Sequence, residues 1–506
     1  MVGAEPPSGV RTGIRNPPRP YPLTCAPRGR ETRTSGGVGT VAIAEPAGPP
    51  DFEAIRRTEY GYLDEQGLVY LDHTGAGLAA RRQWQAHAAR MADRTYGNPH
   101  SEHPASVAST HLVEHTRRAI LAHFNADPDH YAAVFTANAT GACRLVGEAY
   151  PFRRGTRFVL PIDNHNSVNG IREYARARGA RTEYIGLSGP ELRLDGERLH
   201  ATLARRRGLF AFPAQSNFTG VRHRLDWIDV AHEHGWDVLL DAAAYTPTNV
   251  LDLAVVQPEF VAVSWYKVFG YPTGVGTLIA RRDALARLRR PWFAGGTIEA
   301  VSAQGGWHRM ADDESAYEDG TLNFLAVPDV ARGLAWIGEV GMAAIHERVA
   351  ALTAHLLAGL AGLRHSGGEP LVRVYGPGTT DERGATVALN VLDAAGRVVD
   401  ERAVARDTAA ARICVRTGCF CNPGAGEAAF AIGRRTLRGA VMRTAASGGT
   451  LDDYLTRLGL PSGGAVRVSL GLPSTHADVD AFLDFLVRTY RDRPADPSGL
   501  APRLRC

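Results

Sequence analysis

The chain carries 57 Lys plus Arg residues, and only one of them, Lys267, is a lysine. Arginine replaces lysine in surface ion pairs and in much phosphate binding, but its guanidinium stays protonated and is no amine nucleophile. A lysine amine can form an imine with a carbonyl compound. Lys267 lies in VSWYKVFGYPTG, where an apolar strand runs into a glycine-containing turn. Drift of lysine codons to arginine in a GC-rich gene would spare one lysine at random, whereas strand ends are where α/β enzymes keep their chemistry. The position points to an imine-forming lysine and hence to a carbonyl cofactor.

Pyridoxal phosphate is the commonest such cofactor. It requires a carboxylate for its ring nitrogen, a group against the ring face and donors for its phosphate. Asp241 ends the apolar run DVLLD, one strand before the lysine. An acid there needs a cation to offset its desolvation, and a pyridinium would supply one; a helix cap or a loop carboxylate is the plainer alternative. Thr140 opens a helix after the strand YAAVFTAN, and a helix N-terminus offers N–H donors to a phosphate, although Asn-Ala-Thr-Gly is also an ordinary capping sequence. His165, in DNHNSVNG, follows a strand and suits stacking on a planar ring, against a purely structural role. Ser264 and Tyr266 flank the lysine with hydroxyls.

A second cluster, CVRTGCFCNPGAG, holds Cys414, Cys419 and Cys421. Cys419 and Cys421 are one residue apart with no matching CxxC or His pair nearby, so the spacing is wrong for zinc and no metal is expected. A thiol on a glycine-bearing loop beside Arg416 suits a thiolate nucleophile, because nearby positive charge favours the charged form. The alternative is a pair of inert buried thiols.

The elements that must position these groups follow from the apolar pattern. Residues 1–50 are broken by Pro and Gly and lack the apolar stretch of a signal peptide, and are expected to be a disordered leader. Residues 51–320 alternate apolar strands with helices: YAAVFTAN, RFVLPI, LFAFPAQSN, DVLLDAAA, FVAVSWYK and GTLIARR. This predicts a large α/β domain built on a mainly parallel sheet, with one helix expected over 168–178. Residues 321–490 read as a smaller α+β domain carrying the cysteine loop, with RICVRTG expected as a single strand, and 491–506 as a tail. Of 506 residues, 44% are hydrophobic and 22% charged, with a formal charge of +4, as in ordinary soluble proteins. No long basic run indicates nucleic acid, and no apolar stretch of about 18 residues indicates a membrane span. Six cysteines in this length are too few for a disulfide framework, which fits a reducing cytoplasm.

Taken together, VYLDHTGAGL, FTANATGACRLVGEAYPF, NHNSVNGIREYA, LFAFPAQSNFTGVRHRLDWI, LLDAAAY, SWYKVFGYPTGVGTLIAR and RTGCFCNPGAG resemble the aminotransferase class V domain of molybdenum cofactor sulfurases, relatives of the cysteine desulfurases. The resemblance runs from about residue 60 to 488 and implies the fold type I architecture of pyridoxal phosphate enzymes. It further implies that Lys267 holds the cofactor, Asp241 pairs with its ring nitrogen, and His165 stacks on the ring. Thr140, Ser264 and Tyr266 would serve the phosphate, with Ala139 and Asn217 in the same cofactor site. Thr297 resembles the residue that a second subunit lends to that phosphate, implying a homodimer. Arg467 looks like the clamp for the substrate carboxylate, assisted by Arg416, and Cys421 aligns with the cysteine that takes sulfur from L-cysteine as a persulfide before passing it to an acceptor.

The chain departs from these families in three places. It stops soon after the small domain, so the acceptor-binding domain usual in molybdenum cofactor sulfurases is expected to be absent and the acceptor is unidentified. Ala244 stands where many desulfurases have Gln, so contacts to the cofactor's phenolic oxygen must come from elsewhere. Gly426 replaces a further Cys, leaving Cys419 as the nearest relay thiol. Rival readings are a class V aminotransferase, epimerase or carbon–sulfur lyase acting on another amino acid, which would need Lys267 but not Cys421, and a silent sulfur carrier using the cysteine loop alone.

Overall fold

The computed structural model describes residues 49–503 except 206, 448–449, 459–462, 497 and 502; the expected leader, but for its last two residues, lies outside them. A short β1 (Val69–Tyr70) comes first, followed by β2 (Tyr131–Thr136), β3 (Arg157–Pro161) and β4 (Arg181–Ile185). A minimal hairpin, β5 (Leu187–Ser188) and β6 (Arg193–Leu194), precedes β7 (Gly208–Pro213), β8 (Asp237–Asp241), β9 (Phe260–Ser264) and β10 (Gly276–Arg281). The remaining strands are a second hairpin, β11 (Ile298–Ser302) and β12 (Trp307–Met310), then β13 (Val372–Tyr375), β14 (Thr386–Val391), β15 (Ile413–Cys414), β16 (Arg416–Gly418) and β17 (Ala465–Ser469).

Seven strands form one sheet in the order β2-β10-β9-β8-β7-β3-β4. The pairs β3–β4, β3–β7, β7–β8 and β8–β9 are parallel, and β10 alone runs antiparallel to its neighbours. The fold is therefore the mainly parallel α/β architecture that the apolar runs predict, with the carboxyl ends of six strands at one edge. Alternate residues explain why the runs are continuously apolar: Phe210, Phe212, Val261 and Val263 enter one core, and Leu209, Ala211, Phe260 and Ala262 enter the core on the opposite face. Helix Ala139–Ala149 buries its apolar side in the second of these.

The lysine's turn is held by large buried rings. Trp265 is fully buried, donates to Thr277 Oγ1 at 2.9 Å, and stacks on Phe269 at 5.8 Å. Gly270 has φ 76°, and a Cβ there would lie 2.3 Å from the Ala79 nitrogen. Only glycine allows the backbone of Leu78 and Ala79 to pass this close to the turn.

The second sheet, β13-β14-β17-β16, is antiparallel. The expected single strand RICVRTG is two: β15 pairs in parallel with β1, and β16 joins β17. Likewise the helix expected over 168–178 is two, Asn166–Asn169 and Ile171–Ala177, with Gly170 between them. Asp72 bridges in parallel to Ser469, so the first strand and the turn after it lie against the sheet of the C-terminal part. Beyond Tyr490 the chain folds back, and Arg503 pairs with Glu401 at 2.8 Å. Among the described residues no helix is long and apolar enough to cross a membrane.

Candidate active site

The strand ends β2, β3, β7, β8 and β9 surround a cavity of about 130 Å³. Lys267, Asp241, His165, Asn217, Ala139, Thr140, Ser264 and Tyr266 all line it, so the sheet edge assembles residues spread over more than a hundred positions. Asp241 Oδ1 accepts the Ala243 N–H at 3.0 Å, which fixes its carboxylate at the end of β8. Ser264 Oγ accepts the Ala139 N–H at 2.9 Å and so ties the end of β9 to the start of helix 139–149.

The N-cap of that helix is Asn138, whose side chain accepts the Gly141 N–H at 2.9 Å. Thr140 is therefore not the cap, as its local sequence permitted. Its hydroxyl lies 2.6 Å from Ser167 Oγ, and Ser167 Oγ lies 2.8 Å from His165 Nδ1. Ser167, Asn138 and Gln215 also line the cavity. Ser167 had a signal in the sequence, a hydroxyl two residues after a histidine that opens a helix.

Burial dominates the electrostatics of this half. It pushes the Lys267 amine below its ordinary value, with Asp241 opposing and Arg467 and Arg416 reinforcing the shift. Burial also lowers His165, aided by the nearby Lys267 charge, and raises the Tyr266 phenol. The site thus favours a neutral amine and a neutral imidazole.

The other half comes from the C-terminal part. Cys421 is exposed, and it and Phe420 both adopt left-handed backbone, φ 53° and 54°. Such residues persist only where surroundings hold them. Here four hydrogen bonds do so: Cys421 O accepts the Asn166 N–H at 2.7 Å, Phe420 O accepts Asn217 Nδ2 at 2.8 Å, and buried Asn422 donates to Asp163 O and Asn217 Oδ1 at 2.6 and 2.8 Å. The loop is pinned beside His165 and Asn217, and Cys421 acts electrostatically on Lys267. Cys419 is disulfide-bonded, which corrects the expectation that it serves as the nearest relay thiol.

Arg467 is buried on β17, donates to Asn217 O at 3.1 Å, and lies over the Phe420 ring at 4.8 Å. Arg416 faces it from β16. Both arginines grip Asp72, which local sequence reasoning passed over. Thr297 is not brought to the cavity: it is fully buried, and its hydroxyl closes a turn with Ala294 N and O at 2.8 and 2.9 Å.

The donor set fits pyridoxal phosphate. One cavity combines an amine, a carboxylate and an imidazole with the hydroxyls of Ser264, Tyr266 and Thr140 at a helix N-terminus. Ala244 also lines the cavity, together with the amides of Gln215 and Asn217.

The family model described as Aminotransferase class-V matches residues 69–482. The molybdenum cofactor sulfurase of Arabidopsis thaliana is 33% identical over 490 residues, covering 89% of this chain and 59% of that protein. The Homo sapiens protein of the same name is 34% identical over 492 residues, covering 92% of this chain and 54% of that one. This chain thus spans only 54–59% of the length of these relatives. Among solved structures, the cysteine desulfurase of Thermococcus onnurineus NA1 superposes with a TM-score of 0.72 at 23% identity, covering 87% of this chain and 98% of that one. The cysteine desulfurase CsdA of Escherichia coli gives 0.69 at 20% identity, with the same coverage. These structural likenesses describe the fold.

Proposed function

The chain belongs to the aminotransferase class-V family, and from that premise we propose that it is a pyridoxal phosphate-dependent cysteine desulfurase, which transfers sulfur from L-cysteine through Cys421 to an acceptor and releases alanine. The observation that carries this reading is the Cys421 loop, hydrogen-bonded to Asn166 and to Asn217, the latter on the wall of the cavity that holds Lys267 and Asp241. An aminotransferase, epimerase or lyase would have no use for a thiol held there.

Lys267 and Asp241 would hold the cofactor, with His165 against its ring and Ser264, Thr140 and Tyr266 toward its phosphate. When bound, the cofactor withdraws electrons from the substrate α-carbon. The Lys267 amine, whose pKa burial lowers, takes the α-proton. Arg467, with Arg416, binds the substrate carboxylate. The Cys421 thiolate forms an S–S bond to the substrate sulfur as the Cβ–S bond breaks, and the protons gained at the carbon skeleton give alanine. A second thiol then takes the outer sulfur from Cys421.

We place the enzyme in the cytoplasm and propose that it is a homodimer. Trp292, Phe293, Val301 and Trp307 are 46, 40, 47 and 53% exposed in and before the β11–β12 hairpin, a grouping of large apolar side chains that marks an interaction surface. Trp307→Ser should shift the sedimentation coefficient toward that of a monomer; an unchanged value would argue against this hairpin as the interface. The activity itself is tested by incubating the cofactor-loaded protein with L-cysteine and a thiol. Sulfide and alanine should appear in equal amounts, and Cys421→Ala should abolish both. Undiminished turnover by that variant would overturn the persulfide step.

A further inference from the structure

Arg416 and Arg467 are direct partners across the antiparallel pair β16–β17. Like charges in that relation are destabilising, and Arg467 is only 2% exposed, so water does little to screen it. A single carboxylate answers both. Asp72 Oδ1 accepts from Arg467 Nη2 at 2.9 Å and from Arg416 Nε at 3.2 Å, while Oδ2 accepts from Arg416 Nε and Nη2 at 3.0 and 2.6 Å. Both oxygens are thereby occupied. The turn that follows is shaped around this contact, since a Cβ on Gly75 would lie 2.5 Å from Asp72 Oδ2 and 2.7 Å from Arg416 Nη2.

Two guanidiniums and one carboxylate leave the cluster with one uncompensated positive charge. We propose that Asp72 is the specificity-determining residue of this arginine pair: by cancelling one of the two arginine charges it matches the pair to acids with a single carboxylate and excludes dicarboxylates. One incoming carboxylate neutralises the cluster. A second would bring an unpaired negative charge beside the buried Arg467, which costs more than the contacts return. The placement of the substrate carboxylate at Arg467 rests on the desulfurase reading, but the charge count rests on the three side chains alone.

The test uses acids without an amine, which bind but do not react. Propanoate and succinate are titrated calorimetrically into the cofactor-loaded full chain as wild type, Asp72→Asn, Arg416→Gln and the double variant. Asp72→Asn should raise the succinate-to-propanoate affinity ratio about tenfold, and the double variant, again with one net positive charge, should return to within about threefold of wild type. Arg416→Gln, with no net charge, should weaken propanoate about tenfold. Arg416 is half-exposed, so this last variant decides the matter if Asp72→Asn fails to fold. An unchanged ratio in folded Asp72→Asn, a double variant that behaves like Asp72→Asn, undiminished propanoate binding by Arg416→Gln, or no propanoate binding by wild type would each overturn the proposal. If the ratios shift as expected while L-cysteine gives no sulfide, the desulfurase reading fails and the role of Asp72 stands.

Discussion

The two halves of the site are built by different means. On the large-sheet side, Asp241 and Lys267 sit at or just past the ends of β8 and β9, strands whose residues are buried on both faces, and the Lys267 turn is locked by Trp265 and Phe269. On the other side, Arg416 and Cys421 come from strands of two and three residues and a loop with two consecutive left-handed residues. The first half is rigid because the sheet is rigid. The second holds its shape only through tethers: Asn217 and Asn422 for the thiol, Asp72 for the arginines. On the proposed reading, cofactor chemistry would fall to the half built on the sheet and sulfur transfer to the half held by side-chain tethers.

The comparison is broken most severely at the rigid half. Lys267→Ala should lower sulfide formation by about 10³-fold or more, since no other lysine exists to take its place, and the cofactor should separate from the variant on gel filtration. Retention of both activity and cofactor would mean that the cavity is not the reaction centre. Tethers of the second half should give smaller, selective losses. Asn422→Ala removes the donor to Asp163 O and Asn217 Oδ1. It should lower kcat about 10- to 100-fold through misplacement of the thiol while leaving KM for L-cysteine within about threefold. Asn217→Ala acts on the same network, so the double variant should lose little more than either single one. Additive losses would show that the two amides act separately.

How much of this was legible in the sequence follows the same division. Lys267, Asp241, His165 and Ser264 each stand where an apolar run meets a polar residue, and the sheet brings such ends together regardless of the helices between them. The cofactor half is therefore readable from local pattern. Asp72 was not, because its partners lie 344 and 395 positions away, and neither VYLDH nor VRTG contains a local sign that one closes on the other. Nor could spacing separate Asn138 from Thr140 as the cap: both are capping types, and the choice was made when Ser167 offered Thr140 a hydroxyl partner at 2.6 Å. Thr297 was read through resemblance alone, and within one chain its hydroxyl is spent on its own turn.

The smallest effect tests whether the turn beside Asp72 contributes stability apart from chemistry. His73 is buried with its ring edge against Tyr70 at 4.9 Å, and a Cβ on Gly471 would strike its Nδ1 at 2.5 Å. Burial pushes its imidazole down to about 4, with Asp72 opposing. Because the folded value lies below that of the unfolded chain, the unfolded state binds the proton more readily, and stability is lost as pH falls from about 6.5 toward 4. Between pH 7 and 5 this one group should cost about 2 kcal/mol. His123 is lowered similarly by burial, so wild type should lose more than one histidine's share over that range. In denaturant titrations His73→Asn should remove only its own part, about 2 kcal/mol of the difference between the two pH values, while leaving His123's in place. Equal pH dependence in variant and wild type would mean that His73 binds its proton equally well in the folded and unfolded chains, and that burial of the ring carries no pH-linked cost.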